Sequence, residues 1–177
     1  ALAYGLARAL MRAGRLDEAE ARLQPLRAKA AGLAWVEGLA AEIRLARNDA
    51  GGAIRILEAA QKQFPSSRSV SYALADARIL GGRADVAATE LRRRIDNRSG
   101  DPRLWQLLSR AYAALGQRTE QHRTQAEVYY LRGSLPAAIE QLEIARRASD
   151  GDFYTLSAVD ARLRELKQRL LEEKRER

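Results

Sequence analysis

The chain has 177 residues, 46% of them hydrophobic and 31% charged, and no apolar stretch approaches the roughly 20 residues of a membrane span. With no cysteine it has neither disulfides nor thiolate metal sites, which suits the cytosol or a periplasmic domain that needs no disulfides. The net charge of +8 is spread along the chain, with one basic run at Arg92-Arg93-Arg94, and reads as solvated helix faces rather than a nucleic-acid surface. Alanine, leucine, arginine and glutamate dominate and clusters of Val, Ile and Thr are missing, so the fold class is all-α.

In chain order, Leu6, Ala7 and Leu10 share one helical face that ends at Gly14. A second helix follows, with Asp17 and Glu18 in its first turn, where carboxylates suit the helix dipole. Ala19, Leu23 and Leu26 form its buried stripe, and Gly32 is expected to end it. The next unit, from Leu33 to Pro65, buries Leu39, Ala40, Ala41 and Ile43, turns at Asn48, and repeats the stripe as Ala53, Leu57 and Ala60. Phe64-Pro65 closes it, because the residue before proline leaves the helical region. The third unit puts Leu74, Ala75, Gly82, Ala87 and Leu91 in the same phase. A polar loop then leads to Asp101-Pro102, an N-cap followed by proline at the first helical position.

The stretch Trp105 to Gly116 (W-Q-L-L-S-R-A-Y-A-A-L-G) supplies the ruler. Trp105, Leu108, Tyr112 and Leu115 are predicted to share one face, with Ser109 giving a close approach to a neighbouring helix. Gly82, Asn48 and Gly14 precede Gly116 at equal steps of about 34 residues, and each can end a helix. This run and the stretch G-R-L-D-E-A (Gly14 to Ala19) resemble the tetratricopeptide repeat (TPR), a helix–turn–helix unit of that length. The resemblance implies a TPR-type helical solenoid of about ten helices, whose usual work is protein binding rather than chemistry. Arg44 and Arg78 stand where the pattern wants a large aromatic side chain.

After Gly116 the phase slips. Gln121 and Gln125 occupy positions where the repeat wants Ala and Leu, and the match resumes half a repeat on with Ala126, Tyr129, Gly133, Ala138, Leu142 and Ala145. The intervening helix is therefore expected to be the second of one unit and to look like the first of the next, with the regular superhelix tightening or changing layer there. Beyond a turn at Ser149 to Asp152, Leu156, Val159, Leu163, Leu166 and Leu170 form a narrow seam on a final helix, Phe153 to Lys174. That organisation predicts TPR-like repeats over residues 1–148, with the register shift near 116–133, and a C-terminal capping helix and charged tail over 149–177. The seam also suits an interaction helix, and the tail beyond Leu171 is expected to fray.

Catalytic signals are missing. His122 is the single histidine and has no H-E-x-x-H pairing, no serine sits in a glycine elbow, and no glycine-rich phosphate loop follows a strand. The chain is therefore predicted to be non-catalytic, with no catalytic residue, metal ligand or cofactor of its own. What the TPR resemblance implies is a groove lined by first helices. Its exposed positions carry over to Tyr4, Tyr72 and Gln106 in one row and to Arg8, Glu42, Asp76 and Arg110 in the next, with Trp35 joining from the start of its helix. By motif phase Glu127 and Tyr130 extend both rows. Aromatic groups beside mixed charges suit a peptide-binding surface, whereas ordinary salt bridges within the repeats are the alternative. The rows lack the Lys/Asn set with which some TPR domains clamp a C-terminal carboxylate. Glu58, on a second helix, is expected to face the other side and to tolerate charge reversal.

A narrower resemblance begins at His122. The run H-R-T-Q-A-E-V-Y-Y-L-R-G-S-L-P-A-A-I-E-Q-L-E-I-A-R-R-A and the later G-D-F-Y-T-L-S-A-V-D-A-R-L-R-E-L-K resemble the C-terminal TPR region of bacterial β-barrel assembly-enhancing proteases. That family comprises periplasmic zinc metallopeptidases with an H-E-x-x-H domain followed by TPRs. The resemblance implies a periplasmic parent that continues upstream and binds zinc there. It implies a role in outer-membrane β-barrel protein assembly and quality control. The implied partners are the parent's own protease domain, the assembly machinery and its client proteins, with no nucleic acid and no membrane insertion. A generic TPR adaptor unrelated to proteolysis is the competing reading.

Overall fold

The computed structural model describes residues 2–29 and 33–175. Among them are ten helices and no strand, as the composition predicts. The predicted stop at Gly32 lies outside the described residues. The chain divides into two compact units, Ala1–Gly81 and Gly82–Arg177.

The first unit holds α1 (Leu2–Arg12), α2 (Leu16–Lys29), α3 (Ala34–Ala46), α4 (Ala50–Gln63) and α5 (Arg68–Leu80). Consecutive helices pack on one another, and α3 also lies against both α1 and α5, so the first helices of successive hairpins are neighbours. Small residues make this possible: Ala7, Ala19 and Ala53 are fully buried at the close approaches, with Leu23, Leu39, Ile43 and Leu57 filling the space between. Asn48 takes the left-handed conformation at φ 60°, and Gly14 does so at φ 75°. Each sits in the same closing loop. Arg15 N–H donates to the Leu10 carbonyl (3.0 Å) and Asp49 N–H to the Arg44 carbonyl (2.9 Å), which satisfies last-turn acceptors that the helix leaves open.

The second unit holds α6 (Ala84–Asn97), α7 (Pro102–Ala114), α8 (Arg118–Leu131), α9 (Leu135–Arg147) and α10 (Phe153–Arg175). Asp101 caps α7, accepting from Arg103 N–H (3.0 Å), with Pro102 at the first turn as the sequence predicts. Ser109 is buried and donates to the Gln121 carbonyl (3.0 Å), which lets α7 and α8 approach. Leu115 departs from its predicted place on the buried face. It is the residue after the last turn of α7 and is 39% exposed, while Leu104, Leu107, Leu108, Ala111 and Tyr112 form the face that is buried.

α8 lies against α7, α9 and α10. Ala126, Ala138, Leu142 and Ala145 join Val159, Leu163 and Leu166 of α10 in one core cluster, with Leu170 partly buried against it. The final helix runs from Phe153 to Arg175, so the charged residues after Leu171 extend it by one more turn.

Candidate protein-binding surface

The residues singled out for binding fall on first helices, except Glu127 and Tyr130 on α8, and each unit presents its own set. In the first unit Tyr4 of α1 and Trp35 of α3 meet edge to face, with ring centroids 4.6 Å apart and planes at 85°. Trp35 is 43% exposed, so the pair presents an apolar surface to solvent. One and two turns further along the same helices stand Arg8 and Glu42, both exposed. Tyr72 and Asp76 are half-buried on α5. In the second unit Gln106 is half-buried and accepts from Arg103 (3.3 Å), and Arg110 is exposed.

Glu127 and Tyr130 are engaged by α10. Arg162 makes a two-pronged bond to Glu127 (2.9 and 2.8 Å), its guanidinium lies 4.4 Å from the Tyr130 ring centroid, and Arg169 donates to the Tyr130 hydroxyl at 2.6 Å. Burial works against the Arg162 charge, but Glu127 and Glu165 outweigh it and push the guanidinium pKa up. The two positions that motif phase adds to the rows therefore hold α10 in place.

The arginines in the aromatic slot keep their apolar stems inside and reach carboxylates. Arg44 bonds Glu20 (2.8 Å), and Arg78, whose side chain is only 14% exposed, bonds Glu58 (3.0 Å). This corrects the expectation for Glu58: reversing its charge would set a cation against a nearly buried guanidinium, so the position is not silent. His122 is half-buried and its Nδ1 lies 2.9 Å from Gln141 Oε1, joining α8 to α9. Among the described residues no group of three or more His, Cys, Asp or Glu side chains is placed to hold a metal.

Two features escaped the sequence. Asp150, in the loop after α9, reaches back to the start of α8 and accepts from Arg118 N–H (2.5 Å), Thr119 N–H (3.0 Å) and the Thr119 hydroxyl (2.6 Å). The Thr119 hydroxyl and these amides hold its carboxyl below the usual range. Beside this loop is a polar cleft of about 340 Å³ lined by Arg92, Tyr112, Glu120, Asp152 and Thr155 among others. Burial, then Glu120, pushes the Tyr112 phenol up. The cleft's carboxylates are engaged: Glu120 pairs with Arg123 (2.8 Å), and Asp152 caps α10 by accepting from Thr155 N–H (2.7 Å). Phe153 and Tyr154, the next residues in the chain after Asp152, are 78% and 82% exposed and pack edge to face on each other.

Residues 44–111 match the family model of the tetratricopeptide repeat. The chain has the tetratricopeptide-repeat fold. The solved structures of "MamA RS-1 ArsTM double mutant" and "MamA 41-end from Desulfovibrio magneticus RS-1" share it, each at TM-score 0.64 and 16% identity. The first alignment covers 96% of this chain and 94% of the other, and the second 94% of each. At that identity they inform the fold alone. The repeats are also similar in sequence to the beta-barrel assembly-enhancing protease of Escherichia coli (strain K12), 36% identical over 165 residues. The corresponding protein of Yersinia pestis is 32% identical over 164 residues. Each alignment covers 93% of this chain but 34% of the relative, so the chain spans about a third of the length of these curated proteins and matches their TPR region.

Proposed function

We propose that the chain is the protein-interaction part of a periplasmic zinc metalloprotease that acts in outer-membrane β-barrel protein assembly and quality control. The observation that carries this reading is the 36% identity extending over 93% of the chain, well beyond the repeat signature itself. On this reading the repeats are non-catalytic, zinc and hydrolysis belong to the parent's protease domain, and the partners are that domain, the barrel-assembly machinery and its clients. The binding groups are Tyr4, Arg8, Trp35, Glu42, Tyr72 and Asp76 in the first unit and Gln106 and Arg110 in the second, while Glu127 and Tyr130 act through α10.

The test is capture of barrel-assembly components from envelope extract by the immobilised chain, with circular dichroism to confirm folding. Trp35→Ala and Tyr72→Ala should each weaken capture by the equivalent of about 1–2 kcal/mol, as loss of an aromatic anchor does. Lys62→Glu, exposed on the second helix α4, is the control and should bind as the unaltered chain does. Loss of capture in the control with full capture in both aromatic variants would move the binding surface to the second helices.

A further inference from the structure

In the first unit the described carboxylates are engaged with one exception. Asp17 and Glu20 bond Arg47, Glu18 bonds Arg15, Glu37 bonds Arg27, Asp49 bonds Arg44 and Glu58 bonds Arg78, and Asp76 also interacts. Glu42 makes no ion pair or hydrogen bond among the described residues, although the chain carries an excess of arginine. Its counterpart one repeat earlier, Arg8 on the adjacent helix α1, makes none either. Two opposite charges at equivalent positions of packed helices thus stay solvated, Arg8 one turn along α1 from the half-buried Tyr4 and Glu42 two turns along α3 from the exposed Trp35.

The spacing sets what fits. Trp35 and Glu42 are seven residues apart in α3, so they share a face and lie about 10 Å apart along the axis at 1.5 Å per residue. An extended peptide in the polyproline II conformation has three residues per turn and a rise of about 3.1 Å, so side chains three residues apart point the same way and span about 9 Å. We infer that the α1–α3 face binds an extended peptide bearing a large apolar side chain and, three residues away, one lysine or arginine. The apolar side chain lies on Tyr4–Trp35 and the cation on Glu42. Arg8 repels a second cation, so a polybasic segment is disfavoured and the site selects a single positive charge beside an apolar anchor. This inference rests on the proposed first-helix binding surface and adds the chemistry of its occupant.

Fluorescein-labelled peptides containing Phe-Pro-Pro-Lys, Phe-Pro-Pro-Glu or Ala-Pro-Pro-Lys, titrated by anisotropy against the whole chain, test it. The Phe/Lys peptide should bind about tenfold more tightly than the Phe/Glu and Ala/Lys peptides, a difference of about 1.4 kcal/mol. Glu42→Arg should reverse the charge preference while leaving the circular dichroism spectrum unchanged, and Trp35→Ala should erase the gain from Phe. Equal binding of the Lys and Glu peptides, an unchanged preference in Glu42→Arg, or no binding of any peptide at millimolar concentration overturns the inference. If the peptides fail while Trp35→Ala still loses capture of assembly components, the surface stands and this motif falls; if capture is also unaffected, both fall.

Discussion

Asp150 spends its charge on a helix that is not its own. Gln117 precedes α8 without a side-chain cap, and the carboxylate from the α9–α10 loop supplies the missing acceptor. Asp150→Ala should therefore cost about 1 kcal/mol, as lost N-caps do, and lower the melting temperature by about 2–4 °C at neutral pH. The sign of the pH dependence follows from the depressed carboxyl pKa. The contribution is complete above the ordinary carboxylate range near 4 and is lost as pH falls through the lower folded-state value. The gap between parent and variant should close on acidification, with melting curves from neutral pH downward as the measurement. A constant gap would assign the effect to packing rather than to charge. Gly151 beside it has little room for a side chain, since an added Cβ would sit 2.9 Å from Thr119 Cγ2.

Among the elements α10 stands apart, because it seals the last hairpin with a narrow seam and then secures its flank with arginines. Removing everything after Gly151 would uncover Leu142 and its neighbours and delete the burial of Val159, Leu163 and Leu166. At about 1.5–3 kcal/mol for each large side chain, the truncated chain should melt several degrees lower and tend to aggregate, which differential scanning and light scattering would show. Unchanged melting would mark α10 as a helix for another surface. The seam itself was legible in the sequence, because apolar periodicity is a local property. So were the left-handed closures at Gly14, Asn48, Gly82, Gly116 and Gly133, since sterics confine that conformation largely to Gly and Asn. What could not be read was pairing across distance. Arg162 with Glu127, Glu58 with Arg78 and Asp150 with the start of α8 join residues that only the fold brings together. Leu115 misled for a related reason: its spacing fits the buried stripe, but the chain has already left the helix there.

At the scale of the whole molecule, helices pack mainly on their sequence neighbours, so stability is a sum of nearby contributions rather than one shared core. A cavity should therefore act locally. Leu57, fully buried between α4 and its neighbours, is the place to make one, and Leu57→Ala should cost about 2–5 kcal/mol. Hydrogen–deuterium exchange should show protection falling in α3, α4 and α5 while α9 and α10 keep theirs. Equal loss in all helices would mean that the chain unfolds as one cooperative block.

The left-handed residues also have a meaning for how such a chain changes length. Asn48 and Gly82 close equivalent hairpins in the same backbone conformation, one repeat apart, and Ala53 and Leu57 after the first match Ala87 and Leu91 after the second. A gene that lost or duplicated the segment between them would rejoin like to like, with caps, small residues and leucines still in phase. Gly14, Asn48, Gly82 and Gly116 are thus natural splice points. Gly133, only half a repeat past Gly116, is out of step with them, because a join between it and any of the others would change the chain by a half-integral number of repeats. The half-step sets α8 to α10 apart from the counted units, while the units before them remain free to be counted up or down.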